Sequence, residues 1–177
     1  ADIVPWILFP DEAINYRSDV QVLRGKRWPT ALTLAQFQRV TGTKDFPDQI
    51  KPQLKNDTLD YHCNNRVDYT LRGLHVRLEA TWDFVAPAGK KDTEVAIFRG
   101  SRSRVEVRQG AEEQYRPEVY IVPNQVDDRA ALLTVAKKRV AALQAEWPGL
   151  AVEEQAGRLH VLIPDKLGVG HEEHFAL

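Results

Sequence analysis

The 177-residue chain has one cysteine, no methionine and no long apolar run. Cys63 has no second thiol to pair with, so an internal disulfide is excluded and nothing indicates an extracellular disulfide scaffold. No apolar stretch approaches the roughly 20 residues that a membrane-spanning helix needs. The first residues lack the basic segment and apolar run of a signal peptide. We therefore expect a soluble protein, with the choice between cytoplasm and periplasm left open.

Neither sign of charge is in excess, since 24 basic residues stand against 25 acidic ones. A nucleic-acid-binding domain has clustered Lys and Arg and a high isoelectric point, so the composition argues against that class. Arginines recur at positions 99, 102, 104 and 108 and are interrupted by Glu106. We interpret this stretch as the solvated face of a strand; the alternative is a phosphate-binding stripe.

The length fits one domain, and 43% apolar and 28% charged residues are typical of a protein with an ordinary core. Position 1 is not methionine, the chain opens within an apolar segment, and Leu177 comes just after a charged cluster. We expect that the sequence is one domain cut from a larger protein; the alternative is a processed mature protein.

Strict alternation over residues 74–83 predicts a strand with one apolar and one polar face. The apolar face would carry Leu74, Val76, Leu78, Ala80 and Trp82. Residues 27–30 are predicted to be a turn or a sheet edge. Further strands are predicted at 20–23, 58–63, 67–72, 93–99, 103–108 and 118–122, separated by turn residues that include Asn64-Asn65 and Gly73.

Thr33 can cap a helix that Gly42 ends, and with a second helical turn it makes a small helical insertion near 33–55. A longer helix is predicted at 127–146, followed by a hairpin from 150 to 163 that turns near Ala156-Gly157. We expect the helix to cover the apolar face of strand 74–83. The predicted fold is therefore α+β, an open-faced, mostly antiparallel β-sheet with helices covering one face, in a single domain 1–177.

Signature motifs of common enzyme classes are missing. There is no G-x-G-x-x-G, Walker A, H-E-x-x-H or G-x-S-x-G pattern. His62 and Cys63 are neighbours in a predicted strand and would point to opposite faces, which argues against a nucleophile pair. We therefore expect no catalytic residue, no metal site and no cofactor bound by this chain itself.

Three histidines remain as candidates for a binding role. His171 and His174 are three positions apart with two glutamates between them, and on a helix such positions share a face. They could serve a substrate pocket that other residues complete, or a metal ion; the alternative is a polar tail. His75 lies on the polar face of the best-predicted strand, where the alternative is a solvated or cross-strand-paired histidine.

Several short runs, in their order and spacing, resemble the C-terminal domain of oxidoreductases in the glucose–fructose oxidoreductase and inositol dehydrogenase superfamily. The central runs are YTLRGLHV at 69–76, WDFVAPAG at 82–89, DT at 92–93, RGS at 99–101 and RQG at 108–110. The opening part contributes Trp6, FP at 9–10, KRWPT at 26–30, Phe37, VT at 40–41 and FP at 46–47; the closing part contributes WPG at 147–149, GHE at 170–172 and HF at 174–175.

The resemblance implies that an N-terminal Rossmann domain, which binds NAD or NADP in that superfamily, is absent from this chain. The C-terminal domain would be an open-faced sheet that helps to form the substrate pocket and often an oligomer interface. The superfamily's catalytic Lys-Pro motif is not carried over to Lys51-Pro52, which follows a helical turn rather than a strand. Related sequences have Gly-Asp-Thr-His where this chain has 91–94, so Glu94 replaces that histidine.

These observations lead to the expected function: a C-terminal substrate-side and oligomerisation domain of an NAD(P)-dependent oxidoreductase that acts on a sugar or cyclitol, inactive on its own. The expected partners are the N-terminal Rossmann domain and a second copy paired through the polar sheet face, with neither nucleic acid nor a membrane. Two alternatives stay open: a stand-alone binding or scaffold domain, and a domain of an NAD-using glycoside hydrolase. The substrate-binding candidates are His75, Asp92, Arg99, His171 and His174.

Overall fold

Two antiparallel sheets organise the chain, one in each of two units, Ala1–Ala86 and Pro87–Leu177. A computed structural model describes residues 3–84 and 87–168. The strands and helices together form an α+β fold, so the predicted fold class is confirmed. The sequence did not indicate that the strands divide between two sheets; that the chain forms a single domain stays a prediction. In the part of the chain that is described, no helix is long and apolar enough to cross a membrane.

The first unit is built around one long central strand. Its elements are α1 (Ile3–Leu8), β1 (Val20–Thr33), α2 (Leu34–Thr41), a 3₁₀ turn (Lys51–Gln53), β2 (Leu54–Lys55), β3 (Thr58–Leu71) and β4 (Leu74–Ala80). Strand β1 pairs with β3 over nearly its whole length, and β2 and β4 pair with β3 along its other edge. Strand β1 therefore has one paired side, and its Pro29 lies at a register shift between Trp28 and Thr30, where a missing N–H is tolerated.

Tight turns with positive φ join the neighbouring strands of this sheet. Arg72 (φ 48°) and Gly73 (φ 82°) connect β3 to β4, and two left-handed residues in succession give a turn that matches the twist of a hairpin. The predicted turn at Asn64-Asn65 was wrong, because β3 runs through both residues. Asn64 is buried and its amide is bonded to Thr30 and to the backbone of Trp82, so pairing overrides its turn preference.

Helix α2 and the 3₁₀ turn lie within the predicted insertion near 33–55, and this segment contributes to the core of the first unit. Thr33 and Gln36 form a reciprocal capping box at the start of α2, and Gly42 (φ 73°) ends the helix in the left-handed conformation. Leu32, Phe46 and Leu59 are the buried centre. Around this centre pack Leu34, Phe37, Ile50, Leu54, Trp82 and Phe84.

The second unit is a five-stranded sheet with one helix. Its elements are β5 (Glu94–Arg99), β6 (Ser103–Gln109), β7 (Glu118–Pro123), a 3₁₀ turn (Val126–Asp128), α3 (Arg129–Leu143), β8 (Ala151–Gln155), β9 (Arg158–Leu162) and a 3₁₀ turn (Asp165–Leu167). The strand order is β5-β6-β7-β9-β8. The predicted hairpin is confirmed, with Ala156 (φ 48°) and Gly157 (φ 82°) forming its turn between β8 and β9.

Helix α3 lies on one face of the second sheet. Arg129 at its start is 3.7 Å from Glu154, and Glu154 is directly opposite Leu159, which is fully buried. Opposite residues share a face, so the helix lies on the Leu159 side. The prediction that this helix covers strand 74–83 is wrong, because the helix packs on β8 and β4 belongs to the other unit.

Strand β4 follows the predicted alternation only in its middle. Val76 and Leu78 are half-buried, while Leu74 and Ala80 at the two ends are exposed. Trp82 lies beyond the strand and packs on the Leu32 core. The alternation thus located the strand correctly but overstated how much of its apolar side is covered.

Leu71 and Leu74 flank the Arg72-Gly73 turn and are a matched pair for a stability test, since they are 2% and 47% exposed. We expect Leu71→Ala to lower the free energy of unfolding by roughly 2–5 kcal/mol, because it leaves a cavity in a packed site. Leu74→Ala should cost less than about 1 kcal/mol. Urea unfolding of both variants beside the wild type measures this, and equal losses would contradict the assigned burial.

Candidate functional site on the second sheet

The predicted substrate-binding residues do not form one cluster. His75 is exposed on β4 of the first unit, directly opposite Thr70. Asp92 is exposed in the segment before β5, where its carbonyl accepts a bond from the Gln109 side chain at 3.4 Å. Arg99 ends β5, so about 17 Å of strand separates it from the Asp92 end. His171 and His174 lie outside the described residues.

Glu106 is the most buried charged side chain that the structure describes, at 3% exposure. It is in the middle of β6, and the two arginines two positions away on the same strand both turn towards it. Arg104 Nε and Arg108 Nε each donate a 2.6 Å hydrogen bond to one of its carboxylate oxygens. A buried carboxylate thus draws two guanidinium groups together on one face of the sheet.

The ionisation of Glu106 is decided by opposing effects. Burial disfavours its charged form, and the hydrogen bonds and charges of Arg108 and Arg104 favour it. The arginines outweigh the burial, so the pKa of Glu106 lies below its ordinary value. The face therefore keeps an ionised carboxylate at neutral pH, although solvent barely reaches it.

A second polar group on the same face centres on Tyr120 of β7. Tyr120 is directly opposite Glu106 on one side and His160 on the other, and its ring stacks on His160 at 4.8 Å between centroids. His160 Nε2 is 2.8 Å from Glu118 Oε2. The guanidinium carbon of Arg158 lies 3.6 Å from the Tyr120 ring centroid.

Donor groups around Tyr120 are left without acceptors. Among the described residues, the Tyr120 hydroxyl and the Arg158 guanidinium make no hydrogen bond, and Arg158 Nε is buried as well. Burial raises the pKa of Tyr120, so its phenol stays protonated and can donate. This arrangement suits a ligand that carries hydroxyl or anionic oxygens.

Sequence reasoning selected one residue of this face, Arg99, as a binding candidate. It interpreted Arg104, Glu106 and Arg108 as a solvated strand face, and it missed the residues of β7 and β9. Arg99 is directly opposite Arg104, which places it on the Glu106 side of the sheet. The signal in the sequence was the two-residue period of polar side chains along each strand: Arg104, Glu106 and Arg108 on β6, Glu118 and Tyr120 on β7, Arg158 and His160 on β9. Only the strand register shows that these short patterns share one face.

The first sheet carries a more exposed charge cluster of similar design. Arg77 Nε donates a 2.6 Å hydrogen bond to Asp68, and Arg66 is 3.8 Å from the same carboxylate. The hydrogen bond from Arg77 outweighs burial and holds the pKa of Asp68 below its ordinary value. A shallow hollow beside it is lined by Arg24, Lys26, Arg66 and Asp68.

The described residues do not fit a dinucleotide. A pyrophosphate needs free backbone N–H groups at a helix start that follows a glycine-rich turn. The start of α2 is closed by its own capping box, and α3 is preceded by Asp127 and Asp128, which repel a phosphate. Within 3–84 and 87–168 no three His, Cys, Asp or Glu side chains group closely enough to hold a metal ion.

Comparisons with known proteins agree with this architecture. The protein family described as "Putative oxidoreductase C terminal domain" matches residues 1–177. The chain also resembles the crystal structure of a "putative oxidoreductase" from Parabacteroides merdae, with 35% identity and a TM-score of 0.91. The matched region covers 98% of this chain and 40% of that protein, so this chain spans less than half of its length. No curated protein matches the chain.

The chain therefore belongs to the family of oxidoreductase C-terminal domains. The resemblance to such a domain that the sequence motifs indicated is confirmed at this level.

Replacing Glu106 by Gln should weaken the second unit, because Arg104 and Arg108 then lose their shared carboxylate. We expect a loss of about 1–3 kcal/mol in the free energy of unfolding at neutral pH. The pKa of Glu106 is lower in the fold than its ordinary 4.5, so its contribution is complete above that value and is lost as the pH falls through the folded pKa. The wild type should therefore lose stability more steeply in acid than Glu106→Gln.

Glu153→Gln is the control, since Glu153 is exposed and directly opposite His160 on the same face. It should leave both stability and its pH dependence nearly unchanged. Denaturant unfolding between neutral pH and the acid limb measures all three proteins. Parallel curves for the wild type and Glu106→Gln would show that the carboxylate is not held by the arginines.

Proposed function

We propose that this chain is the substrate-side domain of a nicotinamide-dependent oxidoreductase that acts on a sugar or cyclitol. The observation that carries the proposal is the family match over residues 1–177, together with a relative whose chain extends far beyond the matched region. The part of the chain that the structure describes does not fit a dinucleotide, and the cofactor, NAD or NADP, would be bound by an N-terminal Rossmann domain of the same protein. The role of this chain would be to bind and orient the substrate.

The Glu106 face of the second sheet is the part of the chain best suited to that work. Sugars and cyclitols present many hydroxyl groups, and this face offers the unbonded donors of Tyr120 and Arg158 beside the acceptor Glu118. The face is rigid, because its side chains lie on paired strands rather than on loops. His75, Asp92, His171 and His174 stay predictions for the rest of the pocket.

The test uses the complete protein that contains this chain. It would be incubated with NAD or NADP and a panel of sugars and cyclitols, and formation of reduced nicotinamide would be followed by absorbance. We expect a substrate-dependent rate, and Tyr120→Phe should raise KM by roughly tenfold if the phenol bonds the substrate. Tyr61→Phe, the same change at an exposed tyrosine of the first unit, is the control.

Two other outcomes would replace the proposal. Cleavage of a glycoside with no net change in the nicotinamide would assign the protein to the NAD-using glycoside hydrolases. Absence of both reactions, in a protein that binds sugars, would favour a binding or scaffold domain.

The chain on its own should bind neither NAD nor NADP measurably, because the start of α2 is closed by its capping box and the start of α3 is acidic. Calorimetric titration of the isolated chain with each nucleotide tests this expectation. A dissociation constant below about 1 mM for either nucleotide would contradict it.

We also propose that the polar face of the first sheet pairs two copies of the protein. Arg66, Asp68, Arg77 and Glu79 form a mixed-charge surface there, and opposite charges can meet across a two-fold axis. Sedimentation should show a wild-type dimer that Arg77→Glu disrupts, whereas Lys137→Glu on α3 should leave it intact. A wild type that stays monomeric at every concentration would exclude this assembly.

A further inference from the structure

Arginines are concentrated at one end of the Glu106 face. Arg99 on β5 and Arg104 on β6 are directly opposite each other, with Cα atoms about 5 Å apart. Arg158 on β9 reaches the same face, because its guanidinium lies over Tyr120, and Tyr120 is the strand partner of Glu106. Like charges placed directly opposite on neighbouring strands destabilise a sheet, so this arrangement needs an explanation.

Nearby carboxylates pair with only one of these three arginines. Glu106 is shared between Arg104 and Arg108, and Glu118 pairs with His160. Arg99 and Arg158 have no ion pair with any described residue. Arg99 and Arg158 therefore each keep an unpaired positive charge, and that of Arg158 is half-buried, where solvent screens it less.

Hydrogen-bonding capacity on this face is also unused. Arg104 donates its Nε to Glu106 and, being 37% exposed, keeps its terminal nitrogens available. Arg158 donates no hydrogen bond within the described chain, and its Nε is buried without an acceptor. A guanidinium offers five donors in a fixed fork that matches the oxygens of a carboxylate or phosphate.

Arg102 differs from Arg99 and Arg158 because it has a carboxylate partner. It lies in the turn between β5 and β6, and both its Nε and one terminal nitrogen are bonded to Asp128, at 3.0 and 2.6 Å. In the arginine run of the sequence, Arg102, Arg104 and Arg108 therefore each have a carboxylate partner, whereas Arg99 has none among the described residues.

We propose that Arg99, Arg104 and Arg158 form a binding site for the oxyanion of a small molecule, a phosphate or a carboxylate group. Glu106 orients Arg104 by holding its Nε, and the Tyr120 ring supports Arg158 by cation–π contact. Arg99 closes the site from the neighbouring strand. The site is defined by charge and geometry on one sheet and does not require that the protein be an oxidoreductase.

Calorimetric titration of the chain at low ionic strength tests the site with four probes: inorganic phosphate, glucose 6-phosphate, glucuronate and glucose. We expect at least one of the anionic probes to bind with a dissociation constant at or below about 1 mM, and neutral glucose to bind more weakly than the anionic sugars. Tighter binding of glucose 6-phosphate identifies a phosphate as the preferred group, and tighter binding of glucuronate a carboxylate.

Arg99→Gln is the decisive variant, because Arg99 is exposed and its loss leaves no partner unpaired. It should weaken binding of the preferred anion about tenfold, the effect expected for one lost charged hydrogen bond. Arg158→Gln should weaken it similarly, provided that its thermal unfolding matches the wild type. Arg139→Gln is the matched control, since it removes the same charge from an exposed position on α3, which lies on the other face of the sheet.

The proposal is overturned if none of the three anions binds, or if glucose binds as tightly as its anionic relatives. It is also overturned if Arg139→Gln weakens binding as much as Arg99→Gln, because the effect would then come from net charge alone. None of these readouts depends on nicotinamide reduction, so failure here and failure of the proposed redox role are distinguishable.

Discussion

The burial of Glu106 is the constraint on which the functional face of the second sheet depends. A carboxylate with almost no contact to solvent must be hydrogen-bonded and paired, or it becomes protonated. Arg104 and Arg108 meet that requirement from the same strand, two residues on either side, so the period of the strand itself delivers both guanidinium groups. The cost of burying one negative charge thereby fixes the orientation of two positive ones. The stacked Tyr120 and His160 continue the same row of side chains across the sheet.

Asp68 in the first sheet shows what changes when the same design is less buried. It also accepts a short hydrogen bond from an arginine and lies near a second one, but Asp68 itself and its partner Arg77 are more exposed, and the contact with Arg66 is 3.8 Å long. Exposed ion pairs contribute little to stability and rearrange easily. The Glu106 face of the second sheet is therefore pre-organised and is the better scaffold for a binding site. The Asp68 face of the first sheet is adaptable and suits contact with another protein surface.

The strands, the capped helix and the hairpin of this fold were accessible from the sequence because each rests on local rules. Thr33 and Gln36 form a cap within one helical turn, and Ala156-Gly157 sets its hairpin without help from elsewhere. The turn predicted at Asn64 was wrong, because the burial of this residue depends on Thr30 and Trp82, which are distant in the sequence. The candidate site was not predicted from the sequence for the same reason. Arg99 was identified, but only the pairing of β5, β6, β7 and β9 places Tyr120 and Arg158 on the same face, and no short stretch of sequence contains all four strands.

The sequence separation of the paired strands also affects how the chain folds. In the second unit, β5 to β7 and β8 with β9 pair with their neighbours in sequence, whereas in the first unit β1 pairs with β3 across the whole helical insertion, Val20 with Leu71. Contacts between residues that are distant in the sequence stabilise the fold only after a long loop has closed, so they slow folding. Strand β1 is synthesised before β3, so it must wait for Leu71 to emerge. During that interval its long edge, with exposed Val22 and Leu23, is open to incorrect pairing with another chain.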